Sequence, residues 1–213
     1  MLMVKNDFEI IDMFPTPVYK AKRDVDLDSI KQEEKEIKDI IKEGLDRNEF
    51  NSITVNTYIF NTKLKNIKEF CEKHIKIYVK EIIKPKEEMD FYITQSWFHL
   101  TEPGEKMHEH THQNSIISGV FYLSDIEDQK VYFIDASVNT KERLRIDPLE
   151  YNAWNASSWF VPIEKNNLLL FPSWIPHKVS PNDSTVVRIS LAFNVFARGI
   201  FGDVGNINKL ILR

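Results

Sequence analysis

The sequence predicts a mainly β domain, a sandwich or barrel, with two amphipathic helices buttressing one face. Three observations carry this. From residue 90 onward the chain is almost entirely short runs of β-branched and aromatic residues separated by turn residues. Two earlier stretches place apolar residues at helical spacing. The composition is that of a packed globule: of 213 residues, 42% are hydrophobic and 12% aromatic.

Residues 8–20, FEIIDMFPTPVYK, hold two prolines among extended-type residues, which predicts a short strand or an extended arm docked on the core. Residues 27–46 place Leu27, Ile30, Ile37, Ile40, Ile41 and Leu45 on one helical stripe, and Asp26 or Asp28 can cap its start. FNSITVNTYIF, residues 50–60, alternates and predicts a strand. A second helix follows, capped by Asn61 or Thr62. Its buried face is Leu64, Ile67, Phe70, Cys71, Ile75, Tyr78, Val79, Ile82 and Ile83, and Pro85 stops it. Cys71 is expected in the core of this helix and His74 in a structural or exposed place on it. The later strands are FYITQSWFHL, SIISGVFYLS, KVYFIDA, SWFVPI, NLLLFPSW, HKVSPN and VVRISLAFNVFA. With no internal repeat or linker-like stretch, the chain divides as one domain over 1–213: an arm and supporting helices over 1–88, a β core over 89–203 and a tail over 204–213.

The bulk numbers exclude some classes. Net charge is −4, which argues against strong unaided nucleic-acid binding, although a local basic patch is compatible with it. One cysteine cannot form an intrachain disulfide, so a secretory disulfide framework is not indicated. No apolar run approaches the roughly 18–20 residues of a membrane span, and the start lacks the pattern of a signal peptide. The expectation is a cytoplasmic protein, in the host cytoplasm were the chain viral. Oligomeric state is left open: the two amphipathic helices could pair with another copy, although packing on the β core is the expectation.

The segment KMHEHTHQNSIISGVFYL carries His108, His110 and His112 at alternate positions. Alternate side chains of a strand share a face, so His110 and His112 can converge on one point, and His108 joins them if the extended geometry reaches back that far. Neutral imidazole is the commonest metal ligand. A polar, histidine-rich surface loop fits this segment equally well. Residues 168–193 add a second constellation: an apolar strand into Phe171–Pro172–Ser173–Trp174, then His177, a turn at Ser180–Asp183, and a strand carrying Arg188 and Ser190 on one face. Val186, Val187, Ile189, Leu191 and Phe193 flank that arginine, and a cation in such a strand is costly unless it meets an anion. Its planar fork suits a carboxylate.

The stretches HTHQNSIISGVFYL, LLLFPSWIPHKVSPN and RISLAFN, with MFPTPVY near the start and FNVFARGIFGD near the end, resemble an Fe(II)- and 2-oxoglutarate-dependent oxygenase family of bacteria and their large tailed viruses. The resemblance implies a double-stranded β-helix, a cupin-like jelly roll, with iron in the mouth between two facing sheets. It implies His110 as first metal ligand, His177 as the distal one and Arg188 as the clamp on the far carboxylate of 2-oxoglutarate. Ser190 could share that carboxylate, and Tyr122 could reach it. The departure lies two residues after His110, where the wider superfamily has Asp or Glu and this chain has His112. The expected non-haem iron set is two histidines and a carboxylate. Three protein ligands still leave three octahedral positions, so a three-histidine site can hold iron and the cosubstrate. His108 with His110 is the other register. Glu109 points away in a regular strand, and Glu105 needs a loop to swing in.

Other residues have two readings each. His108 is taken as neighbouring the ligands or facing the substrate. Asn114 and Ser115 either bond the ligands or serve a turn. Trp97 and Trp174 are expected mainly in core packing, His99 in a structural place, and Asn194 in satisfying backbone groups. The long aromatic stretch 135–160 is a candidate lid, in which Arg143 and Arg145 could meet an anionic substrate. The expected activity is hydroxylase-type C–H oxidation of an unknown small molecule or protein side chain. The alternatives are a three-histidine cupin-like metalloenzyme that does not use 2-oxoglutarate, and a non-catalytic jelly-roll binding or structural protein.

Overall fold

The structure is a computed structural model, and it describes residues 9–136 and 147–213. The candidate lid residues Arg143 and Arg145 lie outside the described residues. Two antiparallel sheets face one another. The larger runs β1 (Tyr19–Lys22), β9 (Asn167–Pro172), β6 (Ile117–Tyr122), β11 (Arg188–Phe201), β4 (Asp90–Thr101), β3 (Ser52–Thr54) and β2 (Leu45–Arg47), with β12 (Leu210–Leu212) on the far end of β11. The smaller runs β5 (Met107–His110), β10 (His177–Val179), β7 (Lys130–Ile134) and β8 (Ser158–Pro162). This two-sheet sandwich is the predicted jelly roll.

The central strands are apolar on both faces because both faces are covered. On β6, Ile117 and Phe121 point to the outer core, while Val120 and Tyr122 point between the sheets. β9 splits likewise, Leu168 and Leu170 outward, Leu169 and Phe171 inward. Side chains alternate with period 2, so register decides which set meets which core. The outer core is closed by α1 (Leu27–Glu43) and α2 (Lys65–Tyr78), which contribute Ile40, Ile67, Cys71, Ile75 and Tyr78. Asp26 caps α1, accepting from the N–H groups of Asp28 and Ser29. A buried bidentate pair fixes α1 to the chain leaving β1, with Arg23 Nη1 and Nη2 donating to Glu33 at 2.9 and 2.7 Å. The structural place expected of His74 is a hydrogen bond between its Nδ1 and the Tyr19 hydroxyl at 2.6 Å, which ties α2 to β1.

Four local expectations are corrected. Only Ser52–Thr54 of 50–60 is strand, because the chain turns after Thr54 and Ile59–Asn61 winds into a 3₁₀ turn under the sheet. α2 is not capped by Asn61 or Thr62; its cap is Leu64, left-handed at φ +55°, whose N–H donates to Glu36 Oε2 of α1 at 2.6 Å. Inter-helix contact here replaces the local side-chain cap. The helical face also ends in a π turn over Val79–Ile83, before Lys84 at φ +48° and then Pro85. The last residues are not a plain tail, since Leu210–Leu212 pair with Gly199–Phe201.

Gly119, in SGV, explains itself by contact: a Cβ there would lie 2.0 Å from the Phe193 ring on the neighbouring strand. Phe193 is fully buried in the outer core and cannot retreat cheaply. Gly119→Ala should therefore destabilise the protein by about 1–3 kcal/mol through overpacking. Urea denaturation checks this. The double change with Phe193→Leu should cost less than the sum of the two single changes, and simple additivity would contradict the contact.

Candidate metal centre

Three histidines meet where the small sheet ends. His110 on β5 is paired with His177 on β10, and His177 is paired with Phe133 on β7. His112 lies beyond the end of β5 rather than on it, so strict alternation does not bring it in. Its backbone does: His112 N–H donates to Ser173 O at 3.0 Å, and Ser173 Oγ bonds Ser115 Oγ at 2.8 Å and Ser118 Oγ at 2.9 Å. The serines of NSIIS and FPSW thus stitch the His112 segment to the turn before His177. The ring centroids are 4.4 Å apart for His110 and His177 and 5.2 Å for His112 from each of them. One nitrogen from each ring lies within 4.8 Å of the other two.

Each ring has an acceptor at Nδ1. His110 Nδ1 lies 2.9 Å from His108 O, His177 Nδ1 3.1 Å from Ile175 O, and His112 Nδ1 2.7 Å from Asn194 Oδ1. A carbonyl only accepts, so Nδ1 carries the proton and Nε2 keeps its lone pair for a metal. Burial pushes the pKa of His112 down to about 4 and that of His177 to about 3, and lowers that of His110. All three are therefore neutral, as ligation requires, at ordinary pH.

His108 stands outside this cluster, exposed, its ring 4.4 Å from Phe50 and 5.2 Å from His110. Neither nearby carboxylate is offered. Glu109 is exposed on the other face of β5, and Glu105 is held by Arg47 and by the Glu102 N–H. Asn114 sits left-handed at φ +54° and serves a turn. Trp174 is not core: it is 61% exposed beside Ser173.

Beside the histidines runs a polar row on β4, β11 and β6. Ser190 is paired with His99 on one side and Tyr122 on the other, and Arg188 follows two residues along the same face. Arg188 is 3% exposed; Nη1 donates to Ser180 O at 2.9 Å, and Nη2 is buried with no acceptor among the described residues. Burial lowers the Arg188 pKa, against upward pulls from Tyr122 and Asp183, and burial raises that of Tyr122. His99 is part of this row. Its Nε2 accepts from Trp97 Nε1 at 2.8 Å, so its proton sits on Nδ1, which is buried and also without a partner. Trp97 itself lies 6.1 Å from the His112 ring. Sequence reasoning missed His99 and Asn194 as parts of the site. Their one sequence signal is strand parity: each lies an even number of residues from Trp97 or Arg188 on its own strand.

The family described as "Putative 2OG-Fe(II) oxygenase" matches residues 95–194, which span the histidines, Arg188 and Asn194. The β core is thus similar in sequence to the 2-oxoglutarate/Fe(II) oxygenases. Solved structures of similar fold include the non-haem α-ketoglutarate-dependent carbocyclase SnoK of nogalamycin biosynthesis, at 12% identity and TM-score 0.61, covering 84% of this chain and 79% of that one. A Pseudomonas putida prolyl-4-hydroxylase has 16% identity and TM-score 0.55, covering 84% and 92%. HygX from Streptomyces hygroscopicus, solved with nickel, 2-oxoglutarate and hygromycin B, has 11% identity and TM-score 0.58, covering 84% and 82%. At these identities the likeness is one of fold. No curated protein matches the chain in sequence. No helix among the described residues is long and apolar enough to cross a membrane.

The residues present fit the two groups this oxygenase family implies. Three lone-pair-bearing imidazoles suit Fe(II). Two buried donors without acceptors, Arg188 Nη2 and His99 Nδ1, suit an anion.

Burying neutral histidines makes the protein's stability pH-dependent. The unfolded chain takes up protons on these residues below about 6.5. In the folded protein burial holds His99 and His177 at about 3 and His112 at about 4. Their contribution is fully present above 6.5 and is lost as pH falls toward about 3. The metal-free protein should show a lower urea midpoint at pH about 5 than at about 7.5. A flat profile would mean the rings are solvated.

Proposed function

We propose that this oxygenase holds Fe(II) on Nε2 of His110, His112 and His177 and seats the far carboxylate of 2-oxoglutarate on Arg188, with Ser190 and Tyr122 alongside. One observation carries the reading: His99 lies within electrostatic reach both of Arg188, a buried guanidinium with an unanswered donor, and of the converging imidazoles His110 and His112. When bound, iron and 2-oxoglutarate supply the oxidising power, drawing on O₂ and yielding succinate and CO₂. The chain's own residues bind and orient. Ser180 O turns the Arg188 fork, and its remaining donor is free for the carboxylate. His99 Nδ1 offers a second donor to the same ligand. The apolar lining from Phe133, Phe171 and Ile175 excludes water, which strengthens each of these contacts.

With no carboxylate ligand, the metal set is neutral, and a bound iron keeps its full charge. Negative charge at the site would then have to come from the cosubstrate rather than from the three histidines. The reaction is hydroxylase-type oxidation of a C–H bond on a small molecule or protein side chain. A three-histidine enzyme without 2-oxoglutarate leaves Arg188 without an anion, and a structural protein leaves the three lone pairs without a purpose.

The test is an anaerobic titration of metal-free protein with Fe(II) and then 2-oxoglutarate, followed in the visible spectrum. A charge-transfer band should require both additions. Arg188→Met should weaken 2-oxoglutarate binding by about 2–5 kcal/mol, the cost of truncating one side of a buried charge contact, with iron binding retained. Tight iron binding with no band at any 2-oxoglutarate concentration would overturn the cosubstrate assignment.

A further inference from the structure

We infer that Asn194 is the positioning residue that sets the tautomer and aim of the His112 ring, the ligand that stands where the superfamily has a carboxylate. This rests on the reading of the three histidines as ligands.

The three rings are anchored unequally. His110 and His177 are each anchored at Nδ1 by the main-chain carbonyl two residues earlier, His108 O and Ile175 O. Those anchors come with the backbone and cannot be lost by substitution. His112 has no such local acceptor. Its partner, Asn194 Oδ1, comes from 82 residues away. The third ring is therefore aimed by a side chain, and that side chain is replaceable.

The fold holds Asn194 firmly. It lies in β11 with neighbours on both sides, Gln95 of β4 and Ser118 of β6. Pairing with β4 slips between Asn194 and Val195, leaving Thr94 as an extra residue, and Thr94 Oγ1 donates to Asn194 O at 3.2 Å. A bulge of this kind re-aims a side chain beside a site.

The amide's orientation matters as much as its place. With Oδ1 toward the ring, His112 carries its proton on Nδ1 and presents a bare Nε2. With Nδ2 toward the ring, Nδ1 must accept and the proton moves to Nε2, where an N–H would face the other two ligand nitrogens. The same contact at the same distance would then block the metal. Asn194 thus acts as a selector of tautomer. Being neutral, it aims the ring without returning the negative charge that His112 removed. Partners of this kind, outside the ligand sphere, orient metal-binding imidazoles and raise their basicity.

The experiment uses metal-free full-length protein labelled with ¹⁵N histidine, with two-bond ¹H–¹⁵N correlations to assign each ring's tautomer, and Co(II) alone as the metal probe. Wild type should show His112 protonated at Nδ1. Asn194→Ala should shift His112 toward the Nε2-protonated form and weaken Co(II) binding about 10- to 100-fold. Asn194→Asp should restore the Nδ1 tautomer and the affinity, because a carboxylate can only accept. The tautomer of wild type decides the matter even if the alanine variant folds poorly. A wild-type His112 protonated at Nε2 would overturn the proposal. So would Co(II) affinity in folded Asn194→Ala within twofold of wild type, and there the three-histidine reading would stand. Wild type that binds no Co(II) at all would sink the ligand reading itself, and this proposal with it.

Discussion

A guanidinium buried inside a β sandwich sets the terms for this structure. Arg188 is almost fully enclosed, and one of its donors has no acceptor among the described residues. Removing a charge from water costs several kcal/mol even after relaxation, and an unmet donor adds to that. The fold carries this cost in the centre of its larger sheet, where β11 is paired on both sides by β4 and β6. A strand so held cannot rotate Arg188 out to solvent. An anion meeting that donor would offset the cost, which is why Arg188 is proposed as the seat of a carboxylate.

The smaller sheet solves a different problem, bringing neutral imidazoles from distant parts of the chain to one point. Pairing of His110 with His177 does most of this, since opposed residues on adjacent strands share a face. His112 needs more: the Ser115–Ser173–Ser118 hydroxyl chain for its backbone and Asn194 for its ring. Residues of the NSIIS, FPSW and AFN stretches therefore act together as a frame around His112, one of the three candidate ligands. Phe171, Ile175 and Phe133 keep that frame dry, and dryness keeps the rings neutral.

Much of this was legible in the sequence, for identifiable reasons. Strand period placed Arg188 and Ser190 on one face, the apolar runs marked the paired strands, and the helical stripes marked the two helices with Cys71 inside. What escaped was whatever depends on two segments far apart. Asn194 looks like a strand-end amide until His112 is seen against it, and His99 looks structural until Trp97 is found to occupy its Nε2. The cap of α2 failed as an expectation because Glu36 of α1, not a neighbouring side chain, meets the Leu64 N–H. Residues 50–60 alternate like a strand, but Thr54 and Ser96 divert the chain by accepting backbone N–H groups of Phe98 and Phe60. Local pattern encodes faces and periods; it does not encode which distant backbone group a hydroxyl will choose.

The central claim is that three histidines, with no carboxylate of the chain, hold the metal. X-ray absorption of the Fe(II)-loaded protein, prepared without oxygen and without 2-oxoglutarate, tests it most directly. Outer-shell scattering should come from three imidazoles, falling to two in His112→Ala. Scattering from two imidazoles in wild type, unchanged in His112→Ala and lowered in number of ligands by Glu105→Gln or Glu109→Gln, would mean that an acid of β5 or its approach swings in, and would contradict it.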